Sequence, residues 1–341
     1  MKNIVIRIPN HLGDAIMAQP AVTAFVRHCP EDRISLMLPD YTAPIYDFAD
    51  RVALIGLQGR DLHGFRAIMA QRKLLSGMKY DLGYLLTPSF SSALSFFLAG
   101  VRRRCGYITD HRGPLLNGGL RPPGDGVWHR SRQYRHILES NLSLHLKSER
   151  PEIKPTDHAI GAAVGLLAAH GIRKGDAFVA LAPQAIAPSR RWGSDRYGQL
   201  TRSIISEIGV GVVLIGTIHE KAAGDEIARD NPDMVNLCGE TDIATATAVL
   251  SLARLFVGND SGLAHLAAAV GLPLVVLSGA DRPAETSPLA DKKIVIIKDN
   301  LECISCVKNN CPLNGKAYMR CMEDITVDEV FQAVRKLWPN E

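Results

Sequence analysis

The sequence has no apolar run long enough to cross a membrane, and this absence argues against an integral membrane protein. A spanning helix needs about 20 apolar residues, whereas the longest lipid-like piece is the eight residues from Leu94 to Val101. No charged segment with an apolar core precedes the first predicted strand, as a secretory signal would require. We therefore expect a cytoplasmic protein.

Several nucleotide-binding and nucleic-acid-binding patterns are also missing. There is no G-x-G-x-x-G fingerprint and no Walker lysine, which argues against dinucleotide-dependent enzymes and P-loop ATPases. The arginines are not interleaved with aromatic residues, and neither zinc-finger spacing nor a helix-turn-helix signal accompanies them. We therefore expect no nucleic-acid partner.

Cysteine is sparse and odd in number, with seven residues in 341. In a reducing compartment this favours thiols or metal ligands over a disulfide framework. Four cysteines fall within nineteen residues: Cys303, Cys306, Cys311 and Cys321. The spacing leaves three possibilities open, namely a structural zinc site, packed reduced thiols, and disulfides formed on oxidation. None of them implies catalysis.

The charge is distributed unevenly along the chain. Residues 1–150 carry 20 Lys and Arg against 12 Asp and Glu, whereas residues 151–341 carry 19 against 23. The basic first half indicates an anionic partner, either a small molecule or a lipid headgroup, although a solvated basic surface is an equally simple explanation.

Short β-branched runs alternate with longer amphipathic stretches, which is typical of βα repeats with parallel sheets. Ten strands are predicted, five on each side of a polar, proline-bearing linker at 148–157. They lie near Ile4–Ile8, Ile34–Leu38, Val52–Leu57, Tyr84–Leu86, Arg103–Tyr107, Phe178–Ala182, Val212–Ile215, Leu255–Val257, Leu274–Leu277 and Ile294–Ile297. We predict domains at 1–155 and 156–325. A capped helix at 326–341 follows and is expected to pack back on the first domain.

The loop after the first predicted strand presents Asp14 beside Gly13. Ligands of open parallel sheets bind at the carboxyl ends of the strands, so Asp14 is a candidate general base, with a helix N-cap as the alternative. Pro20 lies six residues further on, where an interior proline removes a backbone hydrogen bond. We therefore expect a short or broken first helix, with Asp14 in a strained turn.

Two loops of the second half are candidates for binding a diphosphate. After Val257, a polar turn with Asp260, Ser261 and Gly262 leads into a helix that carries His265 about one turn along. A helix N-terminus of this kind suits a phosphate, although a simple N-cap remains the alternative. Arg190 and Arg191 follow another strand, where guanidinium groups could hold a leaving diphosphate.

Four segments in register resemble one enzyme family. They are I-V-I-R-I-P-N-H-L-G-D-A-I-M, T-P-S-F-S-S-A-L-S-F-F-L-A-G-V-R-R-R-C-G-Y, P-S-R-R-W-G-S-D-R-Y and N-D-S-G-L-A-H-L-A-A-A-V-G-L-P. Together they resemble the ADP-heptose:lipopolysaccharide heptosyltransferases, and heptosyltransferase II most of all. The C-terminal cysteine pattern is similar to a recurring feature of that family.

The resemblance implies a GT-B architecture, with two Rossmann-like domains whose parallel sheets face a central cleft. It implies an inverting transfer without a metal or other cofactor, from ADP-heptose to the anionic lipid A–Kdo core at the cytoplasmic face of the inner membrane. It makes Asp14 the base and Arg190, Arg191, Asp260, Ser261, Gly262 and His265 the donor-binding set. The expected acceptor-binding residues are Asn10, His11, Gly13, Arg102, Arg103 and Arg130.

Alternatives to this function stay open at the level of sequence. They are a heptosyltransferase of type I or III, a GT-B transferase or epimerase acting on another nucleotide sugar, a non-catalytic nucleotide-binding module, and a zinc-dependent enzyme centred on the four cysteines.

Overall fold

The computed structural model describes residues 1–46, 48, 51–62, 64–124, 126–142, 145–147 and 150–339. Its contacts divide the chain into two compact units, Met1–Pro151 and Glu152–Glu341. The division falls within the polar segment 148–157, of which residues 148 and 149 lie outside the described residues. No helix in the described ranges is both long enough and apolar enough to span a bilayer.

The first unit is built on a six-stranded parallel sheet with the order β3-β2-β1-β4-β5-β6. Its strands are β1 Asn3–Arg7, β2 Arg33–Pro39, β3 Val52–Leu57, β4 Leu82–Leu85, β5 Arg103–Tyr107 and β6 Gly118–Leu120. Its helices are α1 Leu12–His28, α2 Gly64–Leu75, α3 Phe90–Leu98 and α4 Arg130–Glu139. The helices pack in two pairs, α1 with α4 and α2 with α3, as expected when crossover helices cover both faces of a parallel sheet.

The second unit repeats this plan with the sheet order β12-β11-β10-β7-β8-β9. Its strands are β7 Phe178–Ala182, β8 Gly211–Leu214, β9 Val235–Asn236, β10 Leu255–Asn259, β11 Leu274–Leu277 and β12 Lys293–Ile296. Its helices are α5 Asp157–Ala169, α6 Ser194–Ser203, α7 Lys221–Arg229, α8 Ile243–Leu252, α9 Gly262–Ala269, α10 Pro283–Thr286, α11 Arg320–Glu323 and α12 Val327–Leu337.

Both sheets have the strand order of the Rossmann fold, in which the direction of winding reverses once. The reversal lies between β1 and β4 in the first sheet and between β7 and β10 in the second. The segment that carries Asp14 follows β1, and the two candidate diphosphate loops follow β7 and β10. Each predicted functional loop therefore lies at the switch point of its own sheet, where such folds bind ligands.

All ten predicted strands are present, with ends that differ by no more than two residues. The sequence analysis missed β6 and β9. These strands have three and two residues, and β6 contains two glycines. Segments this short carry no periodicity, because alternation needs at least four residues to be recognised.

The first helix corrects one expectation. Helix α1 runs for 17 residues with Pro20 inside it, so it is neither short nor broken. An interior proline costs about 3 kcal/mol. The helix buries nine residues, among them Ile16, Val22 and Phe25, and each large apolar side chain contributes about 1.5–3 kcal/mol. Packing therefore outweighs the lost hydrogen bond.

The C-terminal helix contributes to the core of the second unit. Helix α12 begins with the predicted capping box, in which Thr326 and Glu329 bond each other's backbone N–H groups. Its apolar side chains Val330, Phe331 and Val334 pack into the same core as Val179 of β7. Its packing on the first domain stays a prediction. Residues 340 and 341 lie outside the described residues.

Candidate active site

Asp14 lies in the first turn of α1, directly after the carboxyl end of β1. The N-cap position is His11, and its side chain makes no capping hydrogen bond. Asp14 is therefore not a cap, and it is not among the described residues with a positive φ, so the expected strained turn is wrong. The positive end of the helix dipole stabilises a carboxylate at this position.

Two side chains from α4 hold one oxygen of this carboxylate. The Tyr134 hydroxyl donates to Asp14 Oδ1 at 2.8 Å, and Arg130 Nη1 donates to the same oxygen at 3.1 Å. Among the described residues, no hydrogen bond reaches Oδ2. The side chain keeps 16% of its surface exposed. The carboxylate is thus oriented by two donors and has one oxygen available to a substrate hydroxyl.

Tyr134 is buried, and burial together with the nearby Asp14 charge raises its pKa well above the usual value for tyrosine. The phenol therefore stays protonated throughout the physiological range and acts as a hydrogen-bond donor to Asp14. Tyr134 and Arg130 are four residues apart on α4, so their side chains emerge on the same side of the helix.

A buried arginine at the end of β1 holds the loop that leads to Asp14 in place. Arg7 is 1% exposed, and desolvation lowers its pKa to about 10. Its Nη2 donates to Asn10 Oδ1 at 2.5 Å, and the Tyr41 hydroxyl donates to the backbone carbonyl of Asn10. The side-chain oxygen of Asn10 thus accepts a hydrogen bond within the protein, and the bonds to Asn10 hold the backbone just before α1 in place.

The structure brings together only part of the predicted acceptor set. Asn10, His11 and Gly13 adjoin Asp14 in sequence, and Arg130 bonds it directly. Arg103, in contrast, begins β5 in register with Leu82, at the amino edge of the sheet. Strands rise about 3.3 Å per residue, so a five-residue strand separates it from the edge that carries Asp14.

Arg102 precedes Arg103 and pairs with Asp81 at 3.1 Å. Arg102 and Arg103 thus lie at the opposite edge of the sheet from Asp14, and their contribution to acceptor binding stays a prediction. No local pattern predicts this position, because consecutive arginines can lie at either end of a strand.

The turn between β10 and α9 has the geometry expected of an anion site. Ser261 occupies the N-cap position of α9, but its side chain makes no capping bond. Its Oγ is buried, and no hydrogen-bond partner for it exists in the described part of the chain. The first N–H groups of a helix have no acceptor within the helix. Ser261 Oγ and the N–H groups of Gly262 and Leu263 can therefore donate to a bound ligand, whereas Ala264 N–H already bonds the Ser261 carbonyl.

Asp260 is the most perturbed acid of this turn. Burial raises its pKa to about 7; repulsion from Asp281 adds to the rise, and Arg190 opposes it. His265 Nε2 lies 3.9 Å from Asp260 Oδ1, and both side chains are about 5% exposed. The turn therefore contains a carboxyl group that changes charge near neutral pH.

The two predicted arginines differ in their surroundings. Arg190 Nε lies 2.7 Å from Asp281 Oδ1, in an ion pair that does not have the alignment of a hydrogen bond. Arg191 is exposed, and its Nε donates to the Ala185 carbonyl at 2.8 Å. Arg190 therefore compensates buried negative charge near the turn, and Arg191 extends from the loop toward solvent.

Hydrogen bonds tie the two loops of the second unit together. Asn259 Nδ2 donates to the Pro183 carbonyl at 2.8 Å, and the Tyr197 hydroxyl donates to Asn259 Oδ1 at 3.2 Å. Trp192 is fully buried and donates to the Ile325 carbonyl, so it supports the loop from the core and offers no ring to a ligand.

The four clustered cysteines are reduced. Burial and the nearby thiols of Cys303, Cys306 and Cys311 raise the pKa of Cys321 to about 11, so each of these three thiols lies within electrostatic reach of Cys321. The Met319 N–H donates to Cys311 Sγ at 3.4 Å. In the described ranges, no group of three cysteine, histidine or acidic side chains is arranged to hold a metal ion. The structural zinc site stays a prediction.

Sequence reasoning missed two residues of these sites. Tyr134 lies 120 residues from Asp14, although its i+4 spacing from Arg130 could have drawn attention to it. Asp281 follows β11, and a polar residue at the carboxyl end of a parallel strand is itself a signal.

Comparison with known proteins agrees with this geometry. The model of glycosyltransferase family 9 (heptosyltransferase) matches residues 68–317. The chain belongs to this family. It is 31% identical to lipopolysaccharide heptosyltransferase 2 of Escherichia coli (strain K12) over 314 residues, covering 87% of this chain and 88% of that protein. It is 26% identical to lipooligosaccharide heptosyltransferase 2 of Haemophilus influenzae, covering 98% and 99% of the two chains.

Solved structures of the glycosyltransferase family 9 fold give the same result. The E. coli ADP-heptose lipopolysaccharide heptosyltransferase II structure matches with a TM-score of 0.78 and 26% identity, over 99% of this chain and 98% of that chain. The prediction of a GT-B fold with two Rossmann-like parallel sheets is confirmed.

Proposed function

We propose that the protein is an inverting, metal-independent glycosyltransferase that moves heptose from ADP-heptose to the inner core of lipopolysaccharide. The acceptor is the anionic heptosyl-Kdo-lipid A at the cytoplasmic face of the inner membrane. Names of the similar proteins support the substrates. The observation that carries the chemistry is Asp14, a carboxylate with one oxygen held by Tyr134 and Arg130 and the other available.

Asp14 acts as the general base in this proposal. Its Oδ2 accepts the proton of the acceptor hydroxyl as that oxygen attacks the anomeric carbon of the donor and the bond to the diphosphate breaks. A carboxylate is a weak base toward an alcohol, so the proton moves late, when the oxygen already carries positive charge. General base catalysis of this kind contributes about 10²–10⁴ to a rate.

The second unit stabilises the charge that develops on the leaving ADP. Ser261 Oγ, the N–H groups at the start of α9 and the Arg190 and Arg191 guanidiniums are the donors. Preorganised donors of this kind stabilise the transition state because they need no reorganisation during the reaction. His265 and Asp260 complete the donor site and set its charge.

A product analysis tests the reaction class. We expect transfer only when ADP-heptose and the lipid acceptor are both present, with the anomeric configuration of the product, measured by NMR, opposite to that of the donor. Conversion of the donor without an acceptor would instead identify an epimerase, and binding of ADP without turnover would identify a nucleotide-binding module.

Replacing Tyr134 by phenylalanine should slow transfer through Asp14. Loss of one of its two donors leaves the Asp14 carboxylate less firmly oriented toward the acceptor hydroxyl. We expect kcat to fall about tenfold and KM for the donor to stay within twofold.

Tyr107→Phe is the matched control. The Tyr107 hydroxyl also bonds α4, through His136 at 2.9 Å, but it does not contact Asp14. The control should leave both kcat and KM within twofold of wild type. Equal rates for Tyr134→Phe and Tyr107→Phe would show that Tyr134 does not position Asp14.

Donor affinity should depend on pH through Asp260. Its carboxyl is neutral below its pKa of about 7 and negative above it, and a negative charge repels the diphosphate. The phosphates of ADP-heptose are diesters and keep their charge across this range. We expect affinity measured by calorimetry to fall about tenfold between pH 6 and pH 8.

Asp260→Asn should remove this dependence, because the amide does not titrate. The same proton linkage affects stability. The folded state binds the proton more tightly than the unfolded state, so Asp260 makes the protein less stable as the pH rises from about 4 to about 7. An equal pH dependence in wild type and variant would contradict the assignment of this titration.

Chelation should leave transfer unchanged. The four cysteines take no part in the proposed transfer, which uses Asp14 and the turn that carries Asp260. Four cysteine side chains are ligands typical of a structural zinc site. We expect the rate to stay within twofold after treatment with a strong chelator, whereas the melting temperature of Cys303→Ser/Cys306→Ser falls by several degrees. Loss of activity that added zinc restores would contradict metal-independent transfer.

A further inference from the structure

The first unit exposes an unusual concentration of large apolar side chains on one pair of helices. Helices α2 and α3 pack side by side, and Ser95 of α3 donates to Gln71 of α2 at 3.0 Å. Their inner sides bury residues such as Leu75 and Phe96. Six large apolar side chains of the two helices are each 41–76% exposed: Phe65, Met69, Leu74, Phe90, Phe97 and Leu98. We call this outward surface the α2–α3 face.

Basic residues are interspersed with these apolar side chains. On α2, Arg66, Arg72 and Lys73 are exposed, and Arg104 stacks over the Phe97 ring at 5.2 Å. Between residues 60 and 104 the chain has eight Lys and Arg and only two acids, Asp61 and Asp81, a net charge of +6.

Both acids are already included in this net charge. Asp61 is engaged in a capping box with Gln58, and Asp81 pairs with Arg102 at 3.1 Å. The positive charge around the two helices is therefore available to an anionic partner.

The order of residues along α2 places both kinds of side chain on the same side of the helix. Residues three and four apart are neighbours on a helix surface, so Phe65 and Met69 lie beside one another, and so do Arg66, Met69 and Lys73. Aromatic and aliphatic side chains flanked by Lys and Arg are the pattern of helices that lie in the headgroup region of a bilayer.

The positive charge of the α2–α3 face also indicates which partner binds it. A second copy of the chain docked through the same face would place like charges against each other, because a twofold interface pairs a patch with itself. An anionic bilayer supplies the opposite charge and an apolar layer at the same time, and each basic residue near such a surface contributes about 1 kcal/mol of attraction.

We propose that the α2–α3 face docks the first unit on a bilayer that contains anionic phospholipid. The inference rests on the proposed function in one respect: docking brings the protein to a bilayer that holds its lipid-anchored acceptor. The binding itself is independent of the reaction, so the two are tested separately.

Vesicle flotation measures the docking. We expect the full-length protein to float with phosphatidylcholine vesicles that contain 30% phosphatidylglycerol, to bind pure phosphatidylcholine at least tenfold more weakly, and to be released by 0.5 M salt. Lys73→Glu should reduce the partition coefficient by at least about fivefold. Phe65→Ser/Met69→Ser should reduce it about tenfold without changing its salt dependence.

Matched controls make the same substitutions elsewhere. Val127 is 63% exposed in the first unit, outside α2 and α3, and Lys174 is exposed in the second unit. Val127→Ser and Lys174→Glu should bind vesicles as wild type does. Circular dichroism and melting temperature verify that every variant is folded, which is expected because all the replaced side chains are at the surface.

Three results would overturn the proposal. The first is that the α2–α3 variants and the controls lose vesicle binding equally. The second is that wild type binds neutral and anionic vesicles equally well. The third is that wild type is a dimer which Phe65→Ser/Met69→Ser dissociates, while vesicle binding by this variant is unchanged. The last would assign the face to a second copy.

A transfer assay separates this inference from the proposed function. With acceptor embedded in vesicles, the α2–α3 variants should transfer about tenfold more slowly than wild type. With acceptor freed of its acyl chains they should equal wild type. If the α2–α3 variants reduce vesicle binding but the wild-type protein transfers no heptose, the docking proposal is supported and the proposed function is rejected.

Discussion

Replacing Asp14 by asparagine is expected to lower the transfer rate by about 10²–10⁴ while ADP affinity stays within twofold. The amide keeps the size of the side chain and can still accept from Tyr134 and Arg130, but it cannot take a proton from the acceptor. Because the nucleotide is proposed to bind the second unit, its affinity is independent of this change. Single-turnover kinetics and calorimetry with ADP measure the two quantities.

Asp81→Asn is the matched control for this variant. Asp81 is another carboxylate of the first unit that is paired with an arginine at 3.1 Å, and it lies at the amino edge of the sheet. Its replacement should leave the rate within twofold. An Asp14→Asn variant that retained a tenth or more of the wild-type rate would reject Asp14 as the base.

Replacing Arg190 by alanine is expected to have two large effects. Loss of charge-assisted hydrogen bonds to the diphosphate should weaken ADP-heptose binding about 10–100-fold. Loss of its positive charge also removes the ion pair that Arg190 makes with Asp281, which is 3% exposed. Breaking a fully buried pair costs about 3–5 kcal/mol. Since the Arg190 side chain keeps 31% of its surface exposed, we expect the unfolding free energy to fall by about 1–3 kcal/mol.

Two further variants separate these effects. Arg190→Lys keeps the charge but not the planar fork of donors, so it should restore most of the stability and only part of the affinity. Arg202→Ala removes an exposed arginine from α6 and should change neither quantity. Wild-type affinity in a folded Arg190→Ala protein would exclude Arg190 from the donor site.

The elements that sequence reasoning placed well are those with strong local signals. A buried strand such as β7 is a continuous apolar run bounded by polar loops. The start of α12 is marked by the capping-box residues Thr326 and Glu329. The alternation of strands and helices then limits the topology, because crossovers between parallel strands are right-handed. Asp14 and Asp260 could be selected because each lies where a strand is followed by the start of a helix.

The features that sequence reasoning mispredicted or could not place depend on contacts between distant residues. Pro20 is a helix breaker in isolation, but the core around α1 outweighs its local cost. The edge of the sheet on which Arg103 lies follows from its register with Leu82, which no local pattern encodes. Tyr134 reaches Asp14 only because α4 packs on α1. In each case tertiary packing decides the position, and local propensity does not contain that information.

Mass spectrometry of the reaction products tests the central claim most directly. Purified protein is incubated with ADP-heptose and with acceptors truncated after Kdo or after the first heptose. We expect the mass of one heptose to be added to the acceptor that ends in heptose, and the amount formed in the same time to fall at least about 100-fold when Asp14 is replaced by asparagine. No added mass on either acceptor, or equal addition by the Asp14→Asn variant, would contradict the account.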